Sequence, residues 1–124
     1  MDKLKVFIID DSAVIRARLA DIVFDMPEAF LVGEASNISG FLDSIYQLFP
    51  TVVILDIHVP EDNGIEELQR LKEMYPALKV IILTNFSYMQ YREKCYATNV
   101  DYFFDKSSEF GKIPDALEQM RQNM

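Results

Sequence analysis

Five short apolar runs punctuate the chain, and each gives way to a segment in which apolar residues recur at helical spacing. The runs are Lys5-Val6-Phe7-Ile8-Ile9, a weaker one over 30–35, and those over 51–57, 78–83 and 100–104. After the first, Ile15, Leu19, Ile22 and Val23 fall at i, i+4, i+7 and i+8. Ile38, Phe41, Leu42, Ile45, Leu48 and Phe49 keep the same period, as do Ile65, Leu68, Leu71 and Met74 or Tyr75. Alternation of strand-length runs with helical segments predicts βα units around a parallel sheet. The run over 51–57 is apolar at nearly every position, as expected of a central strand covered on both faces.

The boundaries have local causes. Ser12 is placed to cap the first helix, and Pro27, Pro50 and Pro76 mark the ends of the first three. A fourth helix is predicted over 87–98, with Tyr88, Tyr91 and Cys95 on one side. The last begins near Ile113, tolerates Pro114 in its first turn and turns Leu117 and Met120 inward. The expected architecture is a (βα)5 α/β domain over residues 1–124, with no output domain attached.

Composition narrows the function classes. The 124 residues carry 12 basic and 20 acidic side chains, a net charge of −8. That balance argues against direct nucleic-acid binding, which needs a basic face. Cys95 is the only cysteine, so no internal disulfide forms, and a cytoplasmic, reducing compartment is expected. Apolar stretches of about five residues fall far short of the roughly 20 that span a bilayer.

Chemistry enters where the runs stop. The first ends at Asp10-Asp11, the third at Asp56, the fourth at Thr84, and the fifth is followed by Asp105-Lys106. In an open parallel sheet the carboxyl ends of the strands form the ligand crevice. Two adjacent carboxylates there repel phosphate and attract a hard cation. With Asp56 they make an oxygen-rich pocket suited to Mg²⁺. Capping of the first helix by Asp10 and Asp11 is the plainer alternative, but it leaves Asp56 unexplained. A carboxylate such as Asp56 can attack phosphorus, while Lys106 and Thr84 hold phosphoryl oxygens.

With these motifs in this order, the chain resembles the receiver domains of bacterial two-component response regulators from end to end. The resemblance rests on Asp10-Asp11, on Asp56-Ile57-His58-Val59-Pro60 through Gly64, on Thr84, and on Asp101-Tyr102-Phe103-Phe104-Asp105-Lys106-Ser107. It implies a three-layer flavodoxin-like fold with five parallel strands in the order 2-1-3-4-5. It further implies that Asp56 is the phosphoacceptor, served by a histidine kinase, a phosphotransfer protein or a small phosphodonor. Asp11, Asp56 and the His58 backbone carbonyl would ligate Mg²⁺, and Asp10 would act mainly through water. Thr84 and Phe103 would form the switch, altering a face built from helix 4, strand 5 and helix 5. An output domain, a downstream protein or a second copy of the chain would read that face, with no role for nucleic acid or membrane.

The chain departs from the family pattern at a few positions. Ser107 stands where most receivers have proline, which puts the placement of Lys106 in question. Asn85 is larger than the residue usual after the threonine, and Phe103 lacks a hydroxyl. His58, the only histidine, is expected to influence hydrolysis of an acyl phosphate rather than to ligate metal through its ring. Two rival functions share the residues. One is a degenerate receiver serving as a constitutive docking domain. The other is an aspartyl-phosphate hydrolase, against which the adjacent Asp10-Asp11 pair and the missing cap insertion argue.

Overall fold

The computed structural model describes residues 3–57, 64–85 and 89–124, and of Tyr46 the backbone alone. The elements run β1 (Leu4–Ile9), α1 (Ala13–Phe24), β2 (Ala29–Ala35), α2 (Ile38–Leu48), β3 (Val52–Leu55) and α3 (Gly64–Met74). They continue with β4 (Lys79–Thr84), α4 (Met89–Ala97), β5 (Tyr102–Asp105), a 3₁₀ turn over Phe110–Lys112, and α5 (Ile113–Gln122). All strand pairs are parallel, in the order β2-β1-β3-β4-β5. This is the (βα)5 flavodoxin-like architecture the pattern and the resemblance implied.

The sheet divides the core in two because successive strand residues face opposite ways. Phe7, Ile9, Val53, Leu55, Val80, Ile82 and Phe103 point to the side covered by α2, α3 and α4. Leu4, Val6, Ile8, Val52, Ile54, Ile81, Leu83 and Phe104 point to α1 and α5. Each large side chain so buried contributes roughly 1.5–3 kcal/mol relative to exposure. Cys95 belongs to the first cluster, and burial pushes its thiol up to about 12, so it acts as a small inert hydrophobe.

Register aligns the strand ends. Ile9 lies opposite Leu55, Leu55 opposite Ile82, and Thr84 opposite Asp105. One irregularity interrupts β1–β2 pairing between Val6 and Phe7, where Phe7 faces Gly33. A Cβ on Gly33 would stand 2.7 Å from the Phe7 ring. Glycine there admits the ring, which meets Phe41 edge-on at 4.7 Å between centroids.

Several boundaries differ from the periodic reading. β3 ends at Leu55, two residues short of Ile57. β5 starts at Tyr102 rather than Val100, because Asn99 turns the chain at φ 67° and the Asp101 carboxylate takes the Val80 N–H at 2.9 Å. Phe49, although in phase with the α2 stripe, lies beyond the helix as its left-handed C-cap (φ 45°, ψ 58°) and is 71% exposed. A non-glycine residue in that region costs about 1–2 kcal/mol, and asparagine tolerates it best. Phe49→Asn is therefore expected to stabilise the fold by roughly 0.5–1 kcal/mol, raising the thermal midpoint by about 3 °C. A drop in the midpoint by calorimetry would instead show that the exposed ring contributes packing.

Candidate functional site

Three strand ends and one loop converge on an acidic crevice. Among the described residues, Asp11, Ser12, Asp56, Asn85, Lys106 and Ser107 line it. Asp10, Asp11 and Asp56 each present a carboxylate oxygen, and these oxygens lie within 4.8 Å of one another. Asp10 is placed by the last residues of β1, whose N–H chain continues through Asp10 N to the Ala35 carbonyl at 3.1 Å. Asp56 follows β3, and its N–H donates to the Ile9 carbonyl at 2.9 Å.

Asp10 does two jobs with its two oxygens. Oδ1 accepts the Ser12 N–H at 2.9 Å, while the Ser12 hydroxyl caps α1 by accepting the Ile15 N–H at 3.2 Å. Ser12, not Asp10, therefore caps the helix, and the second Asp10 oxygen faces the crevice. Oδ2 is buried, and the Lys106 ammonium pairs with it at 2.9 Å.

Lys106 bridges the acidic cluster, with Nζ also 3.3 Å from Asp56 Oδ2. The Lys106 and Asp56 side chains are only 11% and 5% exposed, so solvent screens this pair weakly. Burial pulls the lysine pKa down, but the Asp10 hydrogen bond and the two carboxylate charges outweigh it, and the net direction is up. The loop after β5 therefore delivers Lys106 despite Ser107.

The cluster fits a hard divalent cation. Among the described residues three carboxylates face one ammonium, which leaves the pocket net negative. With one oxygen from each carboxylate within 4.8 Å of the others, the three could share a single small cation. His58, whose backbone carbonyl was expected to complete the ligand set, lies outside the described residues.

Thr84 is fully buried at the end of β4, and its hydroxyl donates to the Ile57 carbonyl at 3.1 Å. Phe103 is buried in the α2–α4 side of the core. In α4, Tyr91 packs on that core while Met89 and Tyr96 are exposed. Tyr88 lies outside the described residues.

Two arginines and a glutamate escaped the sequence reading. Arg16 Nη1 donates to the Asp10 carbonyl at 2.7 Å, and its Nε pairs with Glu34 on β2 at 2.9 Å. A helical side chain leans toward the helix N-terminus, so an arginine one turn inside α1 can reach the loop before it. That placement was the available signal. The Arg92 guanidinium stands 4.9 Å from the Phe103 ring centroid and donates to the Phe103 carbonyl at 3.4 Å. It also pairs with Glu109 at 3.5 Å. The Asp105 N–H, Lys112 and Arg92 together hold the Glu109 carboxyl below its usual range.

The molecule is an open parallel α/β domain with an acidic, lysine-bridged crevice at the carboxyl ends of its strands. Within that class it belongs to the response regulator receiver domain family, which matches residues 6–118. It is similar to the DNA-binding transcriptional activator DevR/DosR of Mycobacterium tuberculosis, 36% identical over 84 residues that cover 68% of this chain and 39% of that protein. A protein-glutamate methylesterase/protein-glutamine glutaminase of Carboxydothermus hydrogenoformans is 40% identical over 87 residues, covering 70% of this chain and 25% of that protein. The chain thus matches well under half the length of these relatives. Among solved structures, the response regulator domain of Thermotoga maritima CheB superposes with a TM-score of 0.79 at 25% identity, covering 98% of this chain and 95% of that one. The isolated REC domain of Salmonella enterica RcsB shares the fold, with a TM-score of 0.89 at 20% identity, covering 98% and 90%. No described helix is long and apolar enough to cross a membrane.

Proposed function

We propose that this receiver domain accepts a phosphoryl group on Asp56 in a Mg²⁺-dependent reaction and catalyses only its own phosphorylation and dephosphorylation. The observation that carries this reading is the meeting of Asp10, Asp11, Asp56 and Lys106 at one sheet edge. The Asp56 carboxylate attacks phosphorus; its new P–O bond forms as the donor's bond to phosphorus breaks, and the leaving group keeps the electron pair. Lys106, already beside the Asp56 oxygen, shifts its ammonium onto a phosphoryl oxygen. Thr84 exchanges its bond to the Ile57 carbonyl for another phosphoryl oxygen, and Phe103 repacks in response. Asp11, Asp56 and the His58 carbonyl would hold Mg²⁺, with Asp10 acting through water, and the bound ion would supply charge neutralisation.

The phosphodonor in this reading is a histidine kinase, a phosphotransfer protein or a small acyl phosphate, encountered in the cytoplasm. The face formed by α4, β5 and α5 is the surface an output domain or downstream protein reads.

Incubation with acetyl phosphate, with Mg²⁺ or with EDTA, followed by intact-mass analysis and peptide mapping, tests this. One Mg²⁺-dependent phosphoryl adduct mapping to Asp56 is expected. Sustained turnover of varied phosphoesters would indicate a hydrolase, and the absence of any adduct a docking domain.

A further inference from the structure

The loop behind Lys106 is exposed at Ser107 and Ser108, yet it holds the ammonium in a mostly buried position. Three donors converge on one oxygen to hold it. Asp105 Oδ1 accepts the Ser107 N–H at 2.8 Å, the Ser107 hydroxyl at 2.5 Å and the Ser108 N–H at 3.1 Å. The backbone on either side is also tied. Asp105 N donates to Glu109 Oε1 at 2.9 Å, Glu109 N donates to the Asp105 carbonyl at 2.8 Å, and Lys106 N donates to the Thr84 carbonyl at 2.8 Å.

We propose that Asp105 is a positioning residue for Lys106, its carboxylate fixing the loop where the family's proline is replaced by Ser107. Hydrogen bonds to an ionised acceptor are roughly twice as strong as neutral ones. Aspartate is also suited to folding its side chain onto the N–H two residues on. Asp105 does not touch the reacting atoms; it acts by where it leaves the Lys106 backbone. Misplacement of such a group by about 1 Å can cost up to 100-fold in rate. The inference rests on the phosphoacceptor reading for its kinetic consequence, but not for its structural one.

The test uses this chain with Asp105→Ala, Asp105→Asn, Lys106→Met and the double variant Asp105→Ala/Lys106→Met. With acetyl phosphate and Mg²⁺, Asp105→Ala should slow phosphorylation about tenfold. Asp105→Asn, which keeps an accepting oxygen, should stay within about threefold of wild type. The double variant should be no slower than Lys106→Met alone, because Asp105 acts through the lysine. A second readout needs no phosphodonor: the ¹⁵Nζ resonance of Lys106, identified by its loss in Lys106→Met. It should be a protected ammonium signal in wild type and Asp105→Asn, and be lost in Asp105→Ala. A wild-type rate in Asp105→Ala, additive losses in the double variant, or an unchanged Lys106 signal would each overturn the proposal. If wild type takes up no phosphoryl group, the phosphoacceptor reading fails and the ammonium signal still decides the role of Asp105. Should Asp105→Ala not fold, Ser107→Ala, which deletes one of the three donors, should broaden the same signal, and an unaltered signal there counts against the proposal.

Discussion

Asp56→Asn is expected to abolish phosphoryl uptake while leaving a folded and more stable domain. A carboxamide offers phosphorus no nucleophile at neutral pH, so the adduct should fall below detection rather than merely form slowly. Stability should rise because of the charges Asp56 faces. It lies 3.3 Å from one ammonium, but its carboxylate shares a cluster of oxygens within 4.8 Å with two other carboxylates. Removing the Asp56 charge relieves its repulsion by those two carboxylates. Calorimetry without Mg²⁺ should show a gain of about 1 kcal/mol. Mg²⁺ affinity by titration calorimetry should drop about tenfold, one ligand of the set having lost its charge. A midpoint below wild type would mean that the Lys106 contact dominates.

Lys106→Met should act in the opposite sense on metal and stability. Removing a charge aimed at a phosphoryl oxygen costs about 100-fold in the rate of phosphorylation by acetyl phosphate. The same change leaves Asp10, a 1% exposed carboxylate, without the cation beside it. Breaking such a buried pair destabilises by about 3 kcal/mol. Mg²⁺ should bind roughly tenfold more tightly, because it no longer competes with an ammonium, and saturating Mg²⁺ should recover most of the lost stability. The alkaline limb provides a check on sign. Burial lowers the Lys106 pKa, but Asp10 and Asp56 raise it more, so the folded value exceeds the ordinary 10.5. Its contribution is complete below that ordinary value and is lost as pH rises through the raised one. Wild type should therefore lose more stability than Lys106→Met across that window; equal losses would mean Lys106 is no more firmly protonated in the fold.

The sheet was legible because strands buried on both faces must be continuously apolar, and Val52-Val53-Ile54-Leu55 and Val80-Ile81-Ile82-Leu83 are. The polar residues ending those runs meet because parallel register aligns strand ends, which periodicity alone implies. Other features turn on directions that one-dimensional spacing does not encode. The two oxygens of Asp10 divide between the Ser12 N–H and the crevice, and nothing in an Asp-Asp pair says so. Thr84 keeps its hydroxyl on the Ile57 carbonyl, a contact between two strand ends. Arg92 was unreadable because it lies on α4, and only packing brings it to Phe103 and Glu109. Phe49 misled by periodicity, since phase alone does not reveal that the helix has ended.

The contacts around β5 bear on how this domain can associate. As one of the two edge strands, β5 could serve as a template for backbone pairing with another chain. Three of its outward groups are occupied, however: the Phe103 carbonyl by Arg92, the Asp105 N–H by the Glu109 side chain, and the Asp105 carbonyl by the Glu109 N–H. Extension of the sheet into a neighbouring molecule would have to break an ion-paired guanidinium and a helix-leading turn. Assembly on this flank is thereby confined to side-chain recognition, which can be made and released as those side chains move.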